Sequence, residues 1–122
     1  MQVDNHDDVR ILIVEDEPLI AFGLEEVLVD AGFKVAAVAS KFENALTLIE
    51  SGGCDAAIVD ANLAGVSASP LAAALKARDL PFIVLSGYSP NQIQGDFPGA
   101  LFIKKPCRPA QLVEAVNKML MR

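Results

Sequence analysis

Two successive acids, Glu15-Asp16, follow one short apolar run, and a third acid, Asp60, closes another much further along the chain. Ser86 and the pair Lys104-Lys105 each stand at the end of a further apolar run. Carboxylates, a hydroxyl and ammonium groups thus occupy equivalent local settings. Carboxylates brought together repel by roughly 4 kcal/mol per pair at 4 Å and an intermediate effective dielectric, so three of them need a cation or a proton. Mg²⁺ takes one or two carboxylates together with waters and phosphate oxygens, which this set could supply. That chemistry requires the chain to bring the ends of its apolar runs to one place.

The elements predicted from the pattern do so. Val9 to Val14 is a β-branched apolar run suited to a strand buried on both faces of a parallel sheet. After Pro18, the spacing of Ile20, Leu24, Val27, Leu28 and Ala31 gives one face of a helix, with Gly32 placed for a left-handed cap. Lys34 to Val38 reads as a second strand. Ser40 and Glu43 have the spacing of a capping box for a helix with Phe42, Ala45, Leu46 and Ile49 inward, closed by Gly52-Gly53. Ala56 to Val59 is a third strand, and Ser69-Pro70 looks like a cap and first-turn proline before Leu71 and Leu75. Phe82 to Leu85 and Ala100 to Ile103 are the fourth and fifth strands, and Pro109 opens a last helix with Leu112, Val116 and Leu120 on one face. Between those two strands, Ser89-Pro90 can start a helix that Gly95, Pro98 and Gly99 keep short. Alternating strands and helices imply an α/β fold, a five-stranded parallel sheet with helices on both faces. Ligands of such a sheet bind beyond the carboxyl ends of its strands, where the acids, Ser86 and the lysines stand.

Bulk properties narrow the function. A chain of 122 residues, 52% of them hydrophobic, supports one compact domain and one core. Residues 9–122 are expected to form it, after a polar, disordered tail over 1–8 in which His6 is no ligand. A net charge of −6 without a basic cluster argues against a nucleic-acid surface. Cys54 and Cys107 lie far apart with no metal-thiolate spacing, which fits a reducing, cytoplasmic setting. No apolar run is long enough for a signal peptide or a membrane span.

Four motifs in order, Glu15-Asp16-Glu17-Pro18, Ala56-Ala57-Ile58-Val59-Asp60, Leu85-Ser86-Gly87 and Phe102-Ile103-Lys104-Lys105-Pro106, carry a resemblance. The chain resembles the receiver domains of two-component response regulators over Val9 to about Met121. That resemblance implies a doubly wound, flavodoxin-like sheet in the order 2-1-3-4-5, here with a shortened fourth helix. It implies that Asp60 accepts a phosphoryl group, that Glu15, Asp16, Asp60 and the backbone carbonyl of Asn62 hold Mg²⁺, and that Lys105 and Ser86 contact phosphoryl oxygens. Ser86 and Phe102 correspond to the switch pair, so the switch region is expected between them, and the Lys105-Pro106 bond is usually cis in relatives. Strand alternation gives Lys104 and Lys105 opposite directions, leaving Lys104 an ordinary solvated lysine.

The implied partners are a sensor histidine kinase or histidine phosphotransfer protein and a separate downstream effector protein, with no nucleic acid and no membrane. Ser86-Gly87-Tyr88 and the short helix are similar to the FATGUY group of stand-alone receivers, with Ser86 replacing Thr. Leu63-Ala64-Gly65 replaces the Met/Leu-Pro step of many receivers and is expected to loosen the loop after Asp60. Two other functions fit these residues less well. A haloacid-dehalogenase-type phosphatase needs a general acid two residues after its nucleophile, and Asn62 cannot shuttle a proton there. An interaction module that is never phosphorylated would not need Asp16, Asp60, Ser86 and Lys105 together.

Overall fold

The computed structural model describes residues 8–87, 95 and 97–121. Five strands form the main sheet: β1 (Arg10–Val14), β2 (Lys34–Ala39), β3 (Ala56–Asp60), β6 (Phe82–Ser86) and β7 (Leu101–Lys104). All neighbours pair in parallel in the order β2-β1-β3-β6-β7, which counted within the sheet is 2-1-3-4-5. Two strands of two residues, β4 (Asn62–Leu63) and β5 (Val66–Ser67), pair antiparallel as a hairpin after Asp60. The described helices are α1 (Pro18–Asp30), α2 (Phe42–Glu50), α3 (Ser69–Ala77) and α4 (Pro109–Leu120). Residues 88–94, where the sequence predicts the shortened helix, and the tail over 1–7 lie outside the described residues.

Alternation along the strands divides the core in two. Leu12, Val14, Ala57, Val59 and Val84 pack with α2 and α3 residues such as Ile49, Leu71 and Leu75. Ile11, Ile13, Ala56, Ile58, Ile83, Leu85 and Ile103 pack on the other face with Leu24, Leu28, Leu112 and Val116 of α1 and α4. Each strand residue serves the face its parity dictates. The register then lines up the strand ends: Val14 pairs with Val59, Asp60 with Leu85, and Ser86 with Lys104. By the same parity, Glu15, Asp60 and Lys105 continue the rows that end in Ile13, Ile58 and Ile103 and emerge on the α1/α4 side.

Several local expectations shift by a residue. β2 pairs through Ala39 opposite Val14, so the chain turns late and Lys41, not Ser40, caps α2, without a side-chain bond. The Ser40/Glu43 capping box therefore does not form; sheet pairing outweighs a cap worth about 1 kcal/mol. Ser69 lies inside α3, whose N-cap is Ala68, and its N–H is accepted by Ser67 Oγ at 3.2 Å. Ala21 replaces Ile20 on the inner face of α1, whereas on α4 Met119 is buried beside Leu112 and Val116 and the expected Leu120 packs partly buried against the same core. Gly32 takes the expected left-handed conformation, with φ 91°.

The segment after Asp60 is a hairpin and not the loosened loop its sequence suggests. Ala64 and Gly65 form its turn with φ of 51° and 89°. Positive φ at both central residues is the twist-compatible turn for a two-residue hairpin, which favours Asn-Gly. Ala64 carries a Cβ into that conformation at a cost. Ala64→Asn is expected to stabilise the domain by about 0.5 to 1 kcal/mol, measurable as a raised urea midpoint with an unchanged m-value. An unchanged or lowered midpoint would contradict the strained turn.

Candidate functional site

The carboxyl ends of β1 and β3 bring the acids together. Oxygens of Glu15, Asp16 and Asp60 lie within 4.8 Å of one another, the spacing at which three carboxylates could share a metal ion. Glu15 is fully buried and Asp60 nearly so, whereas Asp16 is partly exposed. Beside them, between the start of α1 and the end of β2, a cleft of about 310 Å³ is lined by Glu15, Asp16, Phe22, Glu25 and Ser40.

Each buried carboxylate is oriented by the backbone just after it. The Glu17 N–H donates to Glu15 Oε2 at 3.1 Å, and the Asn62 N–H donates to Asp60 Oδ1 at 3.1 Å. The remaining oxygens face Lys105. Its Nζ donates to Asp60 Oδ2 at 3.1 Å and stands 3.6 Å from Glu15 Oε1. Glu15 Oε1 has no hydrogen-bond partner although it is buried. A buried acceptor without a donor costs of the order of 1–3 kcal/mol, so this atom is suited to a cation or a proton.

Lys105 owes its place to the end of β7. Its N–H donates to Ser86 O at 2.8 Å, the Lys105-Pro106 bond is cis, and the chain then turns into α4. Lys104 points into solvent, as alternation requires. Ser86 is buried at the end of β6. Phe102 is partly buried and meets the buried Phe97 edge to face, with ring centroids 6.4 Å apart. The structure thus gathers Glu15, Asp16, Asp60 and Lys105 directly, sets Ser86 on the neighbouring strand and Asn62 immediately beyond Asp60. Phe102 lies on β7, on the α2/α3 side.

Sequence reasoning missed the hairpin and the two amides that orient the carboxylates. The Asn-x-x-Gly spacing of Asn62 and Gly65 was the available signal. It also missed a clamp at the far end of the sheet. There Arg10 Nε and Nη2 donate to Asp55 Oδ2 and Oδ1 at 3.0 and 3.1 Å, and Nη2 also donates to Gly52 O.

The family follows from comparison of the whole chain. The family model for the response regulator receiver domain matches residues 11–117. The chain belongs to that family. The receiver is 33% identical over 115 residues to the phyllosphere-induced regulator PhyR of Methylorubrum extorquens, covering 91% of this chain and 43% of that protein. It therefore spans less than half the length of this relative. Among solved structures, SdrG of Sphingomonas melonis is 37% identical with a TM-score of 0.80, over 94% of this chain and 98% of the other. A response regulator receiver protein of Sinorhizobium medicae is 28% identical with a TM-score of 0.82, over 92% and 94% of the two chains. Receivers are signalling domains, so the family match displaces the phosphatase rival. Among the described residues, no helix of the receiver is long and apolar enough to cross a membrane.

Charge in the metal-free receiver is unevenly borne. Loss of hydration pushes the Glu15 carboxyl up from 4.5 to about 7; the Glu17 N–H opposes the rise, the Asp60 charge adds to it and the Lys105 charge opposes it. Burial lowers the Lys105 pKa, but its hydrogen bond to Asp60 and the charges of Asp60 and Glu15 outweigh that and leave it raised from 10.5. At the far end, the Arg10 hydrogen bond holds Asp55 below 3.8. Because folding takes up a proton on Glu15 between about 4.5 and 7, its contribution is full below pH 4.5 and is lost as pH rises through 7. In chelator, the receiver is expected to lose roughly 2–3 kcal/mol across that interval. The raised Lys105 and lowered Asp55 act above and below it. Stability that rises from pH 5 to 7 in urea titrations with chelator would refute the assignment.

Proposed function

We propose that this receiver accepts a phosphoryl group on Asp60 from the phosphohistidine of a sensor histidine kinase or a histidine phosphotransfer protein, in a Mg²⁺-dependent reaction. The observation that carries the reading is the carboxylate of Asp60, held between the Asn62 amide and the Lys105 ammonium at the edge of a three-carboxylate cluster. The donor set fits a hard divalent cation: carboxylate oxygens, one of them buried and unpartnered. Glu15, Asp16, Asp60 and the carbonyl of Asn62 would hold Mg²⁺, which when bound neutralises charge on the transferring group.

Asp60 attacks phosphorus through one carboxylate oxygen, the P–N bond of the phosphohistidine breaks, and the imidazole leaves as an acyl phosphate forms. Lys105, already 3.1 Å from Asp60 Oδ2, needs only a small shift to pair with a phosphoryl oxygen. Ser86 donates its hydroxyl to another. That bond and the edge-on Phe97 contact make Phe102 the aromatic whose rotamer reports phosphorylation. The signal passes to a separate effector protein, or the phosphoryl group is handed on. Residues 9–122 constitute the receiver. The FATGUY assignment rests in part on residues 88–94, outside those described.

Asp60→Asn is expected to abolish base-labile phosphorylation while the fold persists, as read by intact-protein mass spectrometry and circular dichroism. Undiminished phosphate on the variant would assign the acceptor elsewhere. Lys105→Ala should still bind Mg²⁺ but show a much reduced spectral response to a beryllofluoride phosphate mimic. A full response would remove Lys105 from the coupling.

A further inference from the structure

The hairpin after Asp60 dictates where the main chain of residue 62 points. Ala68 N–H donates to Ala61 O at 2.9 Å, and Asn62 pairs with Ser67 and Leu63 with Val66. Opposed residues of an antiparallel ladder alternate between hydrogen-bonded and non-hydrogen-bonded pairs. The 61/68 pair carries a ladder bond, so the next pair, Asn62 and Ser67, does not. Both main-chain groups of Asn62 therefore leave the ribbon on its outer edge. Its N–H meets Asp60 Oδ1 at 3.1 Å, which identifies that edge as the one facing the acids, and its carbonyl shares the edge.

The turn that sets this register is strained at Ala64, with φ 51°. The Asn62 side chain spans it: the Gly65 N–H donates to Asn62 Oδ1 at 2.8 Å. Residue 62 thus offers its main chain to the site while its side chain secures the turn. Nothing about the fold of the sheet requires this bond, because the hairpin lies outside it and Asn62 is exposed.

We infer that the Asn62 side chain is a positioning residue, which by clamping the Gly65 amide holds the hairpin register that aims the N–H and carbonyl of residue 62 at the metal-binding acids. This rests on the proposed function, since it assumes that the acids take Mg²⁺. The side chain acts through the turn and touches neither metal nor phosphoryl group. A turn with less intrinsic strain would make it dispensable.

Isothermal titration with Mg²⁺, paired with melting of the metal-free protein and amide exchange, tests the inference. Asn62→Ala is expected to weaken Mg²⁺ binding on the order of 10-fold, as loss of an outer supporting contact does. The metal-free melting temperature should fall by only a few degrees, as the loss of one turn hydrogen bond does, with faster exchange confined to residues 62–67. Gly65→Ala, which places a Cβ at φ 89°, should weaken binding similarly. Adding Ala64→Asn to Asn62→Ala creates an Asn-Gly turn and should restore most of the affinity. Wild-type Mg²⁺ affinity in Asn62→Ala overturns the inference. Failure of Ala64→Asn to rescue also overturns it, because the side chain would then act directly and not through the turn. A wild-type protein that takes no Mg²⁺ is a separate outcome, which overturns the proposed function and this inference with it.

Discussion

Two-residue alternation along parallel strands that are buried on both faces is the constraint on which the rest of this receiver depends. Every residue of β3 and β6 is buried, so each side chain must serve one of two cores and no register error is cheap. The same rule continues past the last apolar residue of each strand. Glu15, Asp60 and Lys105 follow Ile13, Ile58 and Ile103 at the parity of the α1/α4 core, and that parity brings them together. Lys104, one residue earlier, faces solvent although its side chain is identical to that of its neighbour. Selection between the two lysines is thus a matter of pleat geometry and not of chemistry.

Gathering charge at the rim of an apolar core has an energetic consequence that the site itself manages. Glu15 is fully buried, with one oxygen on the Glu17 amide and the other facing Lys105 without a hydrogen bond. Lys105 shares one positive charge between two carboxylates, at 3.1 Å from Asp60 and 3.6 Å from Glu15. One ammonium faces three acids, two of them buried, and Glu15 retains a proton up to about pH 7, so the resting site is short of positive charge. A site with that shortage is poised for a divalent cation. Lys105 also stands where an incoming anionic group would meet it, so charge balance and the proposed transfer make use of the same side chain.

Local backbone geometry supplies the finer orientation. Both buried carboxylates accept an amide from two residues downstream, Glu15 from Glu17 and Asp60 from Asn62. In each case the chain has just left a strand, and the turn offers an N–H that the sheet no longer uses. After Asp60 that turn continues into the β4–β5 hairpin, where the side chain of Asn62 becomes part of the geometry. At the other end of the sheet, the fork of Arg10 on Asp55 joins the starts of β1 and β3, far from the acids.

The sequence by itself determined the fold class, the strand order through the family resemblance, and the placement of the acids, Ser86 and Lys105 at strand ends, because apolar runs ending in polar residues encode strand ends directly. It also placed Lys104 in solvent, since parity can be counted without coordinates. Only the tertiary structure decided what depends on contacts between distant segments. Pairing of Ala39 with Val14 moved the cap of α2 from Ser40 to Lys41, as sheet hydrogen bonds outweigh a local side-chain cap. Packing rotated α1 so that Ala21 and not Ile20 turns inward. The segment after Asp60, which local composition marks as loose, became a hairpin once Ala68 bonded Ala61 and Asn62 bonded Gly65. Likewise, that Glu15 is the fully buried acid and Asp16 the partly exposed one follows from the parity of β1 and the packing around it. Composition reports which groups are available, but hydration, and with it charge, is set by the neighbours that the fold supplies.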